Sequence, residues 1–196
     1  MPISESFTEA IASAAEKCAG PLVVPWPLPG QPAGFMSFGS FSDWLRFVND
    51  LALPEGVPDI VRLKYERSQK VLLLTWIDFD LIKAAELISL TALELALTDR
   101  YALQTKKTYG VSNLAHLLRY LPEHDGLTED KIGMNRRCGS HAIIDFLTGA
   151  RKPSLATVRN DGAHGEPFDG FPISGLIELV RDLIAYAYRD VIQVRN

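Results

Sequence analysis

Within VRNDGAHGEP, residues 158–167, an arginine, an asparagine and a histidine fall inside six positions: Arg159, Asn160 and His164. A guanidinium keeps its charge and offers a planar fork of donors that suits two phosphate oxygens at once. An imidazole takes up and releases a proton near neutral pH. The Asn160 amide, both donor and acceptor, can orient either neighbour. RNA brings its own nucleophile, the ribose 2′-hydroxyl. These side chains therefore suffice in principle to cleave it with no metal and no cofactor: His164 for proton transfer, Arg159 against the charge building on phosphorus. The plainer reading is structural, with Arg159 closing a helix end or pairing with Asp161, and His164 in an ordinary turn.

The elements that would have to position these residues are helical. From Pro58 to about Tyr101 there is no Gly and no Pro, and apolar residues step at three or four, which predicts one long, bent helix. KVLLLTWI by itself also fits a buried strand. The segment LIKAAELISLTALELAL is apolar nearly all round and is expected to be central. Within it Glu86 and Glu94 lie about two turns apart, and Glu94 is expected to pair with a basic group, Arg159 being the candidate. Ser112 is read as the cap of NLAHLLRYL, with Pro122 as its stop. Thr128 to Lys131 opens a short segment. Residues 140–152 read as a helix broken by Pro153, SLATVRNDGAHGEPFDGFP as a turn-rich stretch, and SGLIELVRDLIAYAYRDVI as a final helix.

The first 57 residues are different. Residues 4–17 and FSDWLRFVNDLAL pattern as short helices, the second capped by Ser42 and ended by Pro54 and Gly56. Between them GPLVVPWPLPGQPAGFMSFGS is too rich in Pro and Gly for regular structure and too apolar for a solvated linker. It is expected to be an ordered arm lying over the main domain or over a second subunit. The fold class expected is all-α: an up-and-down bundle of about four core helices, residues 58–196, preceded by an irregular arm, residues 1–57.

Composition narrows the partners. The chain of 196 residues is 47% hydrophobic and 22% charged, with net charge −4, so nothing global draws it to nucleic acid. Local basic pairs remain: Lys106 with Lys107, Arg136 with Arg137, and Arg151 with Lys152. Arg136, Arg137 and Lys152 are the candidate substrate contacts. Cys18 and Cys138 form no disulfide framework, the N-terminus lacks a basic and apolar leader, and five charges interrupt the most apolar stretch. A cytoplasmic protein with no membrane span is expected. Cys138 and His141 have a metal-like gap, which His116 and His124 could complete to a tetrad, but there is no second tight pair and no zinc site is expected. His116 reads as a helix-face residue and His124 as a solvated loop residue. Trp26, Trp44 and Trp76 read as packing residues.

Arg-Asn-x-x-x-His before a long C-terminal helix resembles the signature of the HEPN superfamily, in which an Arg and a His four to six residues apart sit near the junction of the third and fourth helices. The apolar helix AAELISLTALELALTDRY, with Glu94 embedded, is similar to that family's early helix. The resemblance covers roughly residues 60–195. It implies a two-fold homodimer whose paired motifs make one composite site, and a metal-independent endoribonuclease of a toxin–antitoxin or other defence system. Its products would be a 2′,3′-cyclic phosphate and a 5′-hydroxyl. Arg159 would hold the phosphate, His164 would transfer protons, Asn160 would position both, and an antitoxin protein is an implied partner. The same resemblance also admits a non-catalytic nucleotide-binding or interaction module. Here Gly162 and the EPFDGFP segment are expected to leave the motif loosely held.

Overall fold

A computed structural model describes residues 3–16, 18, 20–106, 113–139, 142–165 and 171–194. The described chain is mostly helical with one small sheet. Its helices are α1 Glu5–Ala15, α2 Phe41–Asp50, α3 Asp59–Leu74, α4 Leu81–Thr105, α5 Leu114–His124, α6 Gly133–Cys138, α7 Ile143–Thr148, α8 Leu155–His164, α9 Leu176–Ala187 and α10 Arg189–Val194. The sheet pairs β1 Leu22–Pro25 antiparallel with β2 Phe35–Phe38, in register Leu22 to Phe38 and Pro25 to Phe35.

Helix α4 is the hub. It packs against α3, α5, α8 and α9, and it buries Ile82, Ala85, Leu90, Leu93, Ala96 and Leu97. This placement follows from its all-round apolarity. The expected single helix over 58–101 is instead a hairpin of α3 and α4. Thr75 and Trp76 donate to the carbonyls of Leu72 and Leu73, tightening the end of α3, and the Asp78 carboxylate accepts from the Asp80 amide. That Asx turn reverses the chain without Gly or Pro, so helical spacing continued across the break. KVLLLTWI is helix up to Leu74.

The arm also departs from expectation, because it contains strands. Prolines fall at Pro21, Pro25, Pro27, Pro29 and Pro32, at strand ends or in the connection, and leave Leu22–Val24 free to pair. The arm lies over the main domain of its own chain. Val24, Trp26, Phe38, Trp44 and Val48 are buried in the same cluster as the α3, α4 and α9 residues. Trp44 Nε1 donates to Leu73 O at 3.2 Å, and Trp26 Nε1 donates to Glu178 Oε2 at 2.9 Å. Close approach is possible because α9 opens on Gly175, at φ +69°, where a Cβ would stand 2.6 Å from Pro27 Cδ.

Other ends shift for local reasons. Ser40, not Ser42, caps α2 by accepting from the Asp43 amide. Asn113 caps α5 by accepting from the His116 amide, while Ser112 lies outside the described residues. Pro122 sits inside the last turn of α5 rather than stopping it, and the helix runs to His124. The helix expected over 140–152 is only Ile143–Thr148, ended by Gly149 at φ +87°. The Glu129 carboxylate accepts from the Ile144 amide and so caps its first turn. The final helix divides into α9 and α10 at Tyr188.

Candidate functional site

The largest correction concerns the motif. SLATVRNDGAH is not turn-rich, for residues 155–164 form helix α8. The Ser154 hydroxyl accepts from the Thr157 amide at 3.2 Å and starts the helix, Leu155 and Ala156 are buried, and Gly165 at φ +70° ends it. Gly162 is an ordinary helical residue facing Leu87 of α4, so it does not loosen the motif. Of EPFDGFP, residues 166–172 and expected as a long loop, 166–170 lie outside the described residues, and Phe171 and Pro172 have no regular structure.

Arg159 is fixed. Its Nη2 donates to Glu94 Oε2 at 2.6 Å, and its Nη1 donates to Asn160 Oδ1 at 3.2 Å. The two side chains of the ion pair are 26% and 29% exposed, which leaves the pair accessible yet partly shielded from water. The expected Glu94–Arg159 pairing is therefore present. Arg159 Nε is buried and has no partner, an unused donor beside the pair. Glu86, by contrast, serves the fold: its Oε1 accepts from the Ile173 amide at 2.7 Å and its Oε2 meets Lys83 Nζ at 3.1 Å.

His164 is exposed at the last position of α8. Five residues along an ideal helix turn about 140° and advance about 7.5 Å, so Arg159 and His164 project from different faces. Asn160 and His164, four apart, share one face. One chain thus offers a held guanidinium and an exposed imidazole on the same helix without directing both at one small ligand.

No family model, characterised protein or solved structure matches this chain.

The basic residues proposed to contact substrate have different fates. Arg137 holds the arm: Nη2 donates to Glu178 Oε2 at 2.6 Å and Nη1 donates to Pro27 O at 3.0 Å. Arg136 is exposed and lines a cleft of about 430 Å³ with Lys131, Tyr186 and Arg189. Arg189 brings little free donor capacity there, because Asp125 and Tyr186 O accept from both its terminal nitrogens. Lys152 is exposed in the turn before α8. Cys138 is buried, with Sγ 3.4 Å from Pro27 O, and His141 lies outside the described residues. Among the described residues no group of three or more His, Cys, Asp and Glu side chains is placed to hold a metal ion. Nor is any described helix long and apolar enough to cross a membrane.

Sequence reasoning missed a second group. Tyr101 of α4 packs edge-on against His116 and Tyr120 of α5, with centroids at 5.3 and 5.0 Å, and Tyr120 meets His124 at 5.3 Å. His124 is thus the end of a helix and not a loop residue. The spacing His116, Tyr120, His124 was the available signal, since residues four apart share a helix face.

Proposed function

We propose that this protein is a metal-independent endoribonuclease of HEPN-like architecture, acting as a two-fold dimer in a defence or toxin–antitoxin setting in the cytoplasm. The observation that carries the reading is the Arg159–Glu94 pair: the motif's arginine is held at 2.6 Å by a carboxylate of the central helix, while His164 is left exposed one helical tip away. Preorganised charge of this kind is what a developing oxyanion needs.

In this reading the 2′-oxygen of the substrate ribose attacks the adjacent phosphorus. The P–O5′ bond breaks as the P–O2′ bond forms. An imidazole of His164 accepts the 2′-hydroxyl proton, and a protonated group, its counterpart in the partner or water, delivers one to the leaving 5′-oxygen. Arg159 balances charge on the non-bridging oxygens, and Asn160, bonded to Arg159 and on the face of His164, positions both. Arg136 and Lys152 supply backbone contacts outside the cleavage centre; Arg137, committed to Glu178, contributes least.

The divergence of Arg159 and His164 around α8 favours a second reading: a non-catalytic module in which Arg159 is a structural partner of Glu94 and His164 serves an interface or a bound nucleotide. Incubating wild type and His164→Ala with RNA in EDTA separates the two. Cleavage by wild type alone, leaving 2′,3′-cyclic phosphate ends, supports the nuclease. Equal, negligible cleavage with an unchanged oligomeric state supports the module.

A further inference from the structure

We propose that Tyr101, His116, Tyr120 and His124 form a stacking platform for unpaired bases of single-stranded RNA. This rests on the RNA reading of the Arg159 site and adds to it a place where the strand is held. His116, Tyr120 and His124 follow at four-residue intervals along α5, so their rings line one face of it. Tyr101 joins the row from α4, nearly perpendicular to His116 at 80° and to Tyr120 at 84°. His116 and His124 are exposed, and Tyr101 and Tyr120 are half-buried. Rings pinned edge-to-face give up little further freedom when a base settles on them.

The row and the proposed cleavage centre share helix α4, which carries both Glu94 and Tyr101. Tyr101 lies seven residues beyond Glu94 on α4, which places it within about 20° of the same helix face and about 10.5 Å further along the axis. A strand whose phosphate lies at Arg159 would therefore reach the rings within a few nucleotides. Arg119, also exposed on α5, supplies a guanidinium for the backbone or for a further base face. Glu123 Oε2 comes within 4.0 Å of His124 Nε2, so the surface is not uniformly positive. Recognition then depends on ring faces rather than on charge, the mode that tolerates any base sequence.

The test measures binding apart from cutting. A short fluorescein-labelled single-stranded deoxyoligonucleotide, which has no 2′-hydroxyl and cannot be cleaved by this route, is titrated with the full chain and followed by anisotropy. The same is done with an oligonucleotide carrying abasic sites. Tyr120→Leu and the exposed His116→Ala are each expected to weaken binding about tenfold, and Tyr120→Phe to stay within about twofold of wild type. Loss of bases should weaken wild type and leave the two defective variants little changed. Equal affinity of all four proteins, equal affinity for the abasic strand, or no binding by wild type overturns the platform. Ring-dependent binding without RNA cleavage by wild type sustains the platform and removes the nuclease. Circular dichroism of each variant establishes that the helices persist, and His116→Ala, on the surface, remains decisive if Tyr120→Leu fails to fold.

Discussion

Glu94 and Arg159 lie 65 positions apart and meet at 2.6 Å, tying the central helix to the helix that carries the motif. The pair decides both what Arg159 can do and how α8 is seated against α4. Glu94→Gln keeps the shape and removes the charge. It should lower stability by about 1 kcal/mol, the scale of a partly exposed pair. RNA cleavage should fall at least about tenfold, because a released guanidinium no longer waits in one geometry. Denaturant titration and a gel-based cleavage assay read the two effects; unchanged cleavage would show that Glu94 does not position Arg159.

The start of α8 depends on one hydroxyl. Ser154→Ala removes the acceptor for the Thr157 amide, at a cost of about 1 kcal/mol. Amide hydrogen exchange should rise through Thr157–Val158 and spread toward Arg159. Exchange confined to the substituted residue's neighbours, with no change at Arg159, would show that Glu94 alone orders the motif.

Asp125 bridges two guanidiniums. Its Oδ1 lies 2.9 Å from Arg100 Nη2 and 2.7 Å from Arg189 Nη2, with the Asp125 side chain 6% and the Arg100 side chain 8% exposed. Asp125→Asn removes the carboxylate charge that Arg100 and Arg189 share, leaves Asp190 as the acid beside Arg100, and should cost about 2 kcal/mol in urea denaturation.

The same carboxyl predicts acid sensitivity. Burial pushes its pKa up, but hydrogen bonds from Arg189 and Arg100 outweigh that and hold it below the usual carboxylate range. A group depressed in the folded state stabilises the fold above its unfolded value, about 3.9, and loses that contribution as pH falls through the lower folded value. Wild type should therefore lose stability below about pH 4, and Asp125→Asn should show a shallower acid limb.

Gly175 and Gly165 make a matched pair. Both have positive φ, +69° and +70°, but a Cβ at Gly175 meets Pro27 and Met134 while one at Gly165 meets none of the described residues within 4 Å. Gly165→Asn should be nearly neutral, since Asn tolerates this conformation. Gly175→Asn should cost about 2 kcal/mol or more and shift tryptophan emission as the arm lifts Trp26 from Glu178. Similar costs at both sites would show that the Pro27 contact is readily relieved.

The helices α2, α5 and α9 and the burial of Trp44, Leu93 and Val180 were legible in the sequence because amphipathic spacing is a local property. The pairing of Glu94 with Arg159 was legible too, from an acid embedded in an apolar helix that needed a basic partner. Less so were the chain reversal at Asp78–Asp80 and the helical state of Arg159–His164. In the first, a side-chain hydrogen bond replaced the glycine or proline that normally marks a turn. In the second, Asn160 and Asp161 read as turn formers and Gly162 as a flexible middle, while burial of Leu155 and Ala156 and the Ser154 cap outweighed their poor helix propensity.

By itself, then, the sequence determined that the chain is mainly helical and that its most apolar segment, now α4, is central. Only tertiary packing decided that Arg137 is bound to Glu178, that Arg159 meets Glu94 at 2.6 Å across the α4–α8 contact, that Arg159 and His164 diverge, and that Tyr101 joins a row of rings on α5. The three contacts join residues 19 to 65 positions apart, and the divergence follows from the helical state that the packing of α8 imposes. Their energy depends on distances that no local pattern encodes, because a charge or a ring acts on what lies within a few ångströms, however far away in the chain.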